Sequence, residues 1–166
     1  MQKNSIKVLL INRESPFLDY ISKHLRKAEI VPYQAINAEQ ALELAINDNF
    51  DVAVIDKDLP GIDSCVVYNE LKELQPYLQA ILLIDQDNIA DSVLVKCNFS
   101  PFDYIIKPCD FNSLKQKIIA AYEYKKEQLK TDSENSCNQE EDSIESLGFL
   151  QKLRKWYSLP SECSGI

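Results

Sequence analysis

Residues 51–61 read Asp51-Val52-Ala53-Val54-Ile55-Asp56-Lys57-Asp58-Leu59-Pro60-Gly61. An apolar run that ends in a carboxylate and breaks into a Pro-Gly loop describes a buried strand that delivers an acid to its carboxyl end. Ligands of open α/β sheets collect beyond those ends, so Asp56 is a candidate phosphoryl acceptor or metal ligand. A second apolar run, Ile105-Ile106-Lys107-Pro108, ends in a lysine 51 residues after Asp56.

Outward from this stretch, five short apolar runs alternate with segments of helical period. The runs are 6–11, 30–36, 52–55, 80–84 and 102–106. Three are nearly unbroken Val, Ile, Leu and Ala, as parallel strands buried on both faces require. Pro32 removes a ladder donor, which places the second strand at a sheet edge. Between the runs, Ser15 caps a first helix with Pro16 at its first helical position and Leu18, Ile21 and Leu25 as its stripe. Asn37 with Gln40 resembles a capping box before Ala41, Leu42, Ala45 and Ile46. Asp63 caps a third helix presenting Val67, Leu71 and Leu74. A thinner stripe of Ile89, Val93 and Cys97 marks a fourth over 88–97. Asp110 caps a fifth, with Leu114, Ile118, Ala121 and Tyr122 as its core face. Strand–helix alternation implies right-handed crossovers and a doubly wound five-stranded parallel sheet, a (βα)5 α/β domain over residues 1–126.

Beyond it, residues 127–143 carry six acids, one lysine and three serines, the composition of a disordered acidic linker. From Ile144 to the end at 166 the chain turns apolar again, and Leu147, Leu150, Leu153 and Trp156 beside Lys152, Arg154 and Lys155 predict a short amphipathic helix over 144–157.

The 166 residues are 45% apolar, enough for one core plus something smaller. A net charge of -8 argues against nucleic-acid or anionic-membrane binding, which needs a basic face. Five widely spaced cysteines without a Cys-x-x-Cys pair argue against zinc or a disulfide framework. With no apolar stretch of spanning length and no signal-peptide core, the expectation is a soluble cytoplasmic protein.

Val8-Leu9-Leu10-Ile11-Asn12-Arg13-Glu14, Ala35 to Leu42, Val54-Ile55-Asp56 with Leu59-Pro60-Gly61, and Asp103-Tyr104-Ile105-Ile106-Lys107-Pro108 together resemble the receiver domain of two-component response regulators. The resemblance covers residues 5 to about 126 and implies the flavodoxin-like receiver fold. It also implies an acceptor aspartate at Asp56 that takes a phosphoryl group from a histidine kinase. In the family Mg2+ is held by that aspartate, by an acidic pair after the first strand and by a carbonyl two residues past the acceptor. A Thr or Ser and a lysine, here Lys107, grip the phosphoryl oxygens. Bringing a carboxylate onto a phosphoryl group joins two anions, so cations must be present.

This chain keeps the acceptor and the lysine and departs elsewhere. Asn12 and Arg13 stand where the family has its acidic pair, and Asp85 stands where it has Thr or Ser. One reading is a self-neutralised pocket in which Arg13 and Lys107 face Asp56 and Asp85, Arg13 imitating the bound cation. No metal or other cofactor is then expected. A phosphoryl on Asp56 would meet Asp85, and two unit charges about 6 Å apart repel by roughly 3 kcal/mol at an effective dielectric near 20. The domain is then a pseudo-receiver, a protein interaction module fixed in one signalling state. The alternative is a working single-domain response regulator, phosphorylated on Asp56 with Mg2+ held by Glu14, Asp56 and Asp58. A plain Asp56–Lys107 salt bridge without signalling meaning reads the same in sequence.

Tyr104 matches an aromatic position that reports the switch state in the family; its bland reading is a partly buried strand tyrosine. The Lys107-Pro108 bond matches one that is cis in the family. His24, among Lys23, Arg26 and Lys27, reads as an inert exposed histidine, and Cys109 reads as packing despite nearby cations. The tail is too short for a helix-turn-helix output domain, and no other nucleophile, metal cluster or glycine-rich loop supports independent enzyme chemistry. The expected partner is a protein, either a histidine kinase or a downstream signalling protein. The face of the fourth helix, fifth strand and fifth helix is its docking surface or a homodimer interface. Trp156, Tyr157 and the neighbouring cations offer a second contact to a partner, to the receiver itself or to a membrane surface, a disordered stub being the bland reading.

Overall fold

The computed structural model describes residues 5–86 and 102–135. Its elements are β1 (Lys7–Ile11), α1 (Ser15–Lys27), β2 (Val31–Ala35), α2 (Ala38–Asn47), β3 (Val52–Asp56), α3 (Ser64–Leu74), β4 (Gln79–Asp85), β5 (Asp103–Lys107) and α4 (Phe111–Asn135). The helix expected over 88–97 and that over 144–157 lie outside the described residues, so α4 is the helix that Asp110 precedes.

All five strands pair in parallel in the order β2-β1-β3-β4-β5. This is the doubly wound five-stranded sheet expected from the alternation of apolar runs and helices. Pro32 sits in β2 at one edge, where the missing donor costs no ladder bond. All five residues of β3 are buried.

One face of the sheet packs Val8, Leu10, Val54, Ile81, Leu83 and Ile105 against Leu18, Ile21 and Leu25 of α1 and Leu114, Ile118 and Ala121 of α4. Alternate strand residues face the other way, where α2 lies against β1 and α3 against β3. Each large aliphatic side chain withdrawn from water contributes about 1.5–3 kcal/mol, so the register that buries both faces is strongly held.

Helix starts follow the capping chemistry with one shift. Asn37 accepts from the Gln40 amide at 2.9 Å while Gln40 Oε1 accepts from the Ile36 amide, Asp63 accepts from the Cys65 amide, and Asp110 accepts from the Ser113 amide. Ser15 is not a cap: it is already the first residue of α1, and Glu14 occupies the cap position without a side-chain bond. Ile46, expected in the α2 stripe, is exposed.

The chain forms two compact units, Met1–Asp132 and Ser133–Ile166, and beyond α4 the second lies outside the described residues. The expected end of the domain at 126 is too early, because α4 continues to Asn135. Two side chains tie its extension down: Gln79 Nε2 donates to Gln128 Oε1 at 2.9 Å, and the Tyr77 hydroxyl donates to Asp132 at 2.7 Å. Local composition predicts a solvated segment, and contacts 49 and 55 residues away in sequence override it.

Candidate functional site

Parallel register places four strand ends together. Ile11 pairs with Ile55, so the next residues, Asn12 and Asp56, adjoin at the carboxyl ends of β1 and β3. Asp85 pairs with Lys107 at the ends of β4 and β5. Asp56 is 4% exposed and Asn12 is 3% exposed.

The Asp56 carboxylate is satisfied on both oxygens by groups that donate. Asn12 Nδ2 lies 2.6 Å from Oδ2 and the Asp58 amide 3.0 Å from Oδ1. Lys107 Nζ lies 3.1 and 3.2 Å from the two oxygens. Lys107 also reaches Asp85 Oδ1 at 3.2 Å. Burial lowers the Lys107 pKa, but hydrogen bonds and charge from Asp56 and Asp85 outweigh it and the net shift is upward. Asp85 is held below the usual carboxylate range by its hydrogen bond with Asp58 first and Lys107 second. Asp58 is pushed up by that same bond to Asp85, with burial adding to it.

The structure thus gathers Asp56, Asp85 and Lys107 as the sequence suggests, and it departs from the expected pocket at Arg13. That side chain is exposed and makes no ion pair with Asp56 or Asp85 among the described residues. At the end of β1 alternate side chains face opposite ways, so once Asn12 turns inward Arg13 turns out. The inward role falls to the Asn12 amide, which sequence reasoning treated only as a lost acid. Its signal is positional, since a small polar residue immediately after four buried strand residues must satisfy itself locally.

Tyr104 stands 47% exposed on β5, more open than the partly buried side chain expected. The Lys107-Pro108 peptide is cis, as the resemblance implies. Cys109 packs at the core margin, and burial raises its thiol pKa above the ordinary value. Cation activation of that thiol is thereby overridden. His24 is half-buried rather than exposed, with its ring 4.3 Å from Tyr20 and 5.2 Å from Phe111, and its Nδ1 lies 2.8 Å from the Tyr20 carbonyl.

The Mg2+ that the resemblance implies demands several oxygen ligands in near-octahedral order. The groups bonded to the Asp56 oxygens are an amide NH2, a backbone N–H and an ammonium, donors that do not ligate that ion. Nor do Glu14, Asp56 and Asp58 form the fallback ligand set: among the described residues no group of three or more His, Cys, Asp or Glu could hold a metal.

A family model of the response regulator receiver domain matches residues 8–119. Among known proteins, the heme response regulator HssR of Staphylococcus epidermidis is 26% identical over 129 residues, covering 78% of this chain and 56% of that protein. The chain thus spans about half the length of the curated relatives it matches. Among solved structures, a response regulator receiver domain protein from Clostridium thermocellum aligns with a TM-score of 0.66 at 24% identity, over 73% of this chain and 97% of that one. A CheY-like receiver domain protein from Methanospirillum hungatei aligns with a TM-score of 0.64 at 20% identity, over 75% and 99%. At these identities the structures speak for the fold alone. Among the described residues no helix is long and apolar enough to cross a membrane.

Proposed function

From the premise that this chain belongs to the response regulator receiver domain family of two-component systems, we propose that it is a degenerate receiver that works as a phosphorylation-independent protein interaction module. The observation that carries this reading is the division of Lys107 between Asp56 and Asp85. The resemblance implies that in a working receiver the lysine grips the phosphoryl oxygens. Here a second carboxylate stands where a neutral hydroxyl would grip them, adding an anion at the place that must accept one. The one lysine is already engaged by both carboxylates, and with Arg13 turned out the resting site keeps a net negative charge that opposes a further anion.

On this reading the protein has no chemistry of its own and needs no cofactor. Its partner is a protein, a histidine kinase or a downstream signalling component, which reads one fixed conformation. The competing reading, a single-domain regulator phosphorylated on Asp56 with Mg2+, draws on the retained Asp56–Lys107 contact. The two separate when the protein is incubated with Mg2+ and acetyl phosphate and its intact mass is compared with that of an Asp56→Asn control. The expected result is no adduct on either. A phosphoryl adduct on the unmodified chain alone would overturn the proposal.

A further inference from the structure

We infer that the side-chain amide of Asn12 does the work of a divalent cation at Asp56, clamping the acceptor carboxylate in place without metal. The inference deepens the reading of a phosphorylation-independent receiver and rests on it, because it names the device that holds the single state.

Asn12 is built for this task at both ends of its side chain. Its Oδ1 accepts from the Glu14 amide at 2.7 Å. A backbone N–H can only donate, so the amide orientation is fixed and the NH2 end must face Asp56. The Nδ2 to Oδ2 distance is 2.6 Å, shorter than an ordinary N–H···O bond, in the direction an ionised acceptor draws it. The Asn12 backbone is held as well, since its N–H donates to the Ala35 carbonyl at 3.1 Å. The side chain therefore has little freedom to swing aside for an ion. Lys107 supplies the formal positive charge, and the Asp58 amide completes the ring of donors around the carboxylate.

A carboxylate at position 12 would invert this arrangement. It offers Asp56 only repulsion in the bare protein, and it offers a cation two acidic side chains at the ends of adjacent strands. Asn12 is thus a positioning residue whose replacement by a carboxylate changes what the pocket binds.

The test is a Mg2+ titration of full-length wild type, Asn12→Asp and Asn12→Ala, without phosphodonor, followed by thermal melting and circular dichroism. The expected result is that Mg2+ raises the melting temperature of Asn12→Asp by several degrees and leaves wild type and Asn12→Ala unmoved. Should Asn12→Asp be unfolded in the bare state, recovery of its fold on adding Mg2+ is the same positive result. Equal stabilisation of wild type, an equal gain in Asn12→Ala, or an Asn12→Asp protein that gains nothing while Asn12→Ala folds would each overturn the inference. Because no phosphodonor is present, this outcome is independent of whether the wild-type chain forms an adduct, so failure here and failure of the functional reading are separate results.

Discussion

Asp85 and Lys107 are register partners at the ends of β4 and β5, and their side chains close an ion pair of 3.2 Å. The strand pairing itself puts the acid beside the lysine, so no loop rearrangement is needed to divert Lys107 from Asp56. The two sides of Lys107 are unequal, however. Asp85 is 45% exposed in its side chain, whereas Asp56 is buried.

That inequality predicts a mild effect from removing Asp85. A half-exposed pair is screened by water and typically contributes below 1 kcal/mol, so Asp85→Ala should change stability by no more than about 0.5 kcal/mol. Its chemical effect should be larger, because the anion facing the acceptor is gone. Reactivity of Asp56 toward acetyl phosphate should rise relative to wild type. Urea denaturation and intact mass check the two parts, and a large destabilisation with no change in reactivity would contradict them.

Removing Lys107 should be costly. Lys107→Ala leaves the buried Asp56 carboxylate with dipolar donors only. Breaking a buried pair costs about 3–5 kcal/mol, and because the lysine side chain is 22% exposed the expected loss is nearer 2 kcal/mol. The folded pKa of Lys107 is raised above 10.5, so its contribution is complete below that value and fades as pH rises through the higher folded one. Denaturation of wild type and Lys107→Ala across pH should give a constant gap through neutrality that closes only in the alkaline range.

The hydrogen bond between Asp58 and Asp85 separates their titrations, Asp58 upward and Asp85 downward. The linkage signs are opposite. Asp85, depressed, contributes stability above its unfolded value of 3.8 that is lost as pH falls through the folded one. Asp58, raised, contributes stability that is full below 3.8 and is lost as pH rises through its folded value. Carbon-detected NMR of the side-chain carboxyls should find Asp58 holding its proton to higher pH than Asp85, and Asp85→Ala should bring Asp58 back toward the ordinary value. Two coincident titrations would show that no such bond exists in solution.

Much of this site was legible because its coordinates are strand ends, and strand ends follow from where an apolar run stops. Asp56, Asp85 and Lys107 each close such a run, and parallel register does the rest. Arg13 misled because charge is visible in a sequence and side-chain direction is not. One residue of offset at the end of β1 decides that Asn12 points in and Arg13 out. His24 shows the same limit, since its neighbour Phe111 belongs to another helix and could not be paired with it from spacing alone.

Cys109 offers a test of burial against charge. It lies two residues from Lys107, yet desolvation dominates and raises its thiol pKa. The thiolate is the reactive form, so iodoacetamide at neutral pH should label Cys109 more slowly than it labels the same cysteine in urea-unfolded protein, by a factor read from peptide mass mapping. Labelling in the folded state as fast as in the unfolded one would mean that the packing around Cys109 opens readily.

The extension of α4 makes a further prediction, because its sequence argues for disorder and its contacts argue otherwise. Gln79 is a buried amide whose NH2 is shared between the Tyr77 carbonyl and Gln128 Oε1, both at 2.9 Å. Replacing Gln128 by Ala improves helix propensity slightly and removes one of those two acceptors, and an unmet buried donor costs about 1–3 kcal/mol. The loss should prevail, at about 1 kcal/mol, since the contact is only partly buried. Glu127→Ala, one residue earlier on an exposed position, should stay within about 0.5 kcal/mol. Hydrogen exchange should show amides 127–132 losing protection in Gln128→Ala but not in Glu127→Ala. If both variants behave alike, the helix is held by its own propensity and the tie to Gln79 contributes nothing.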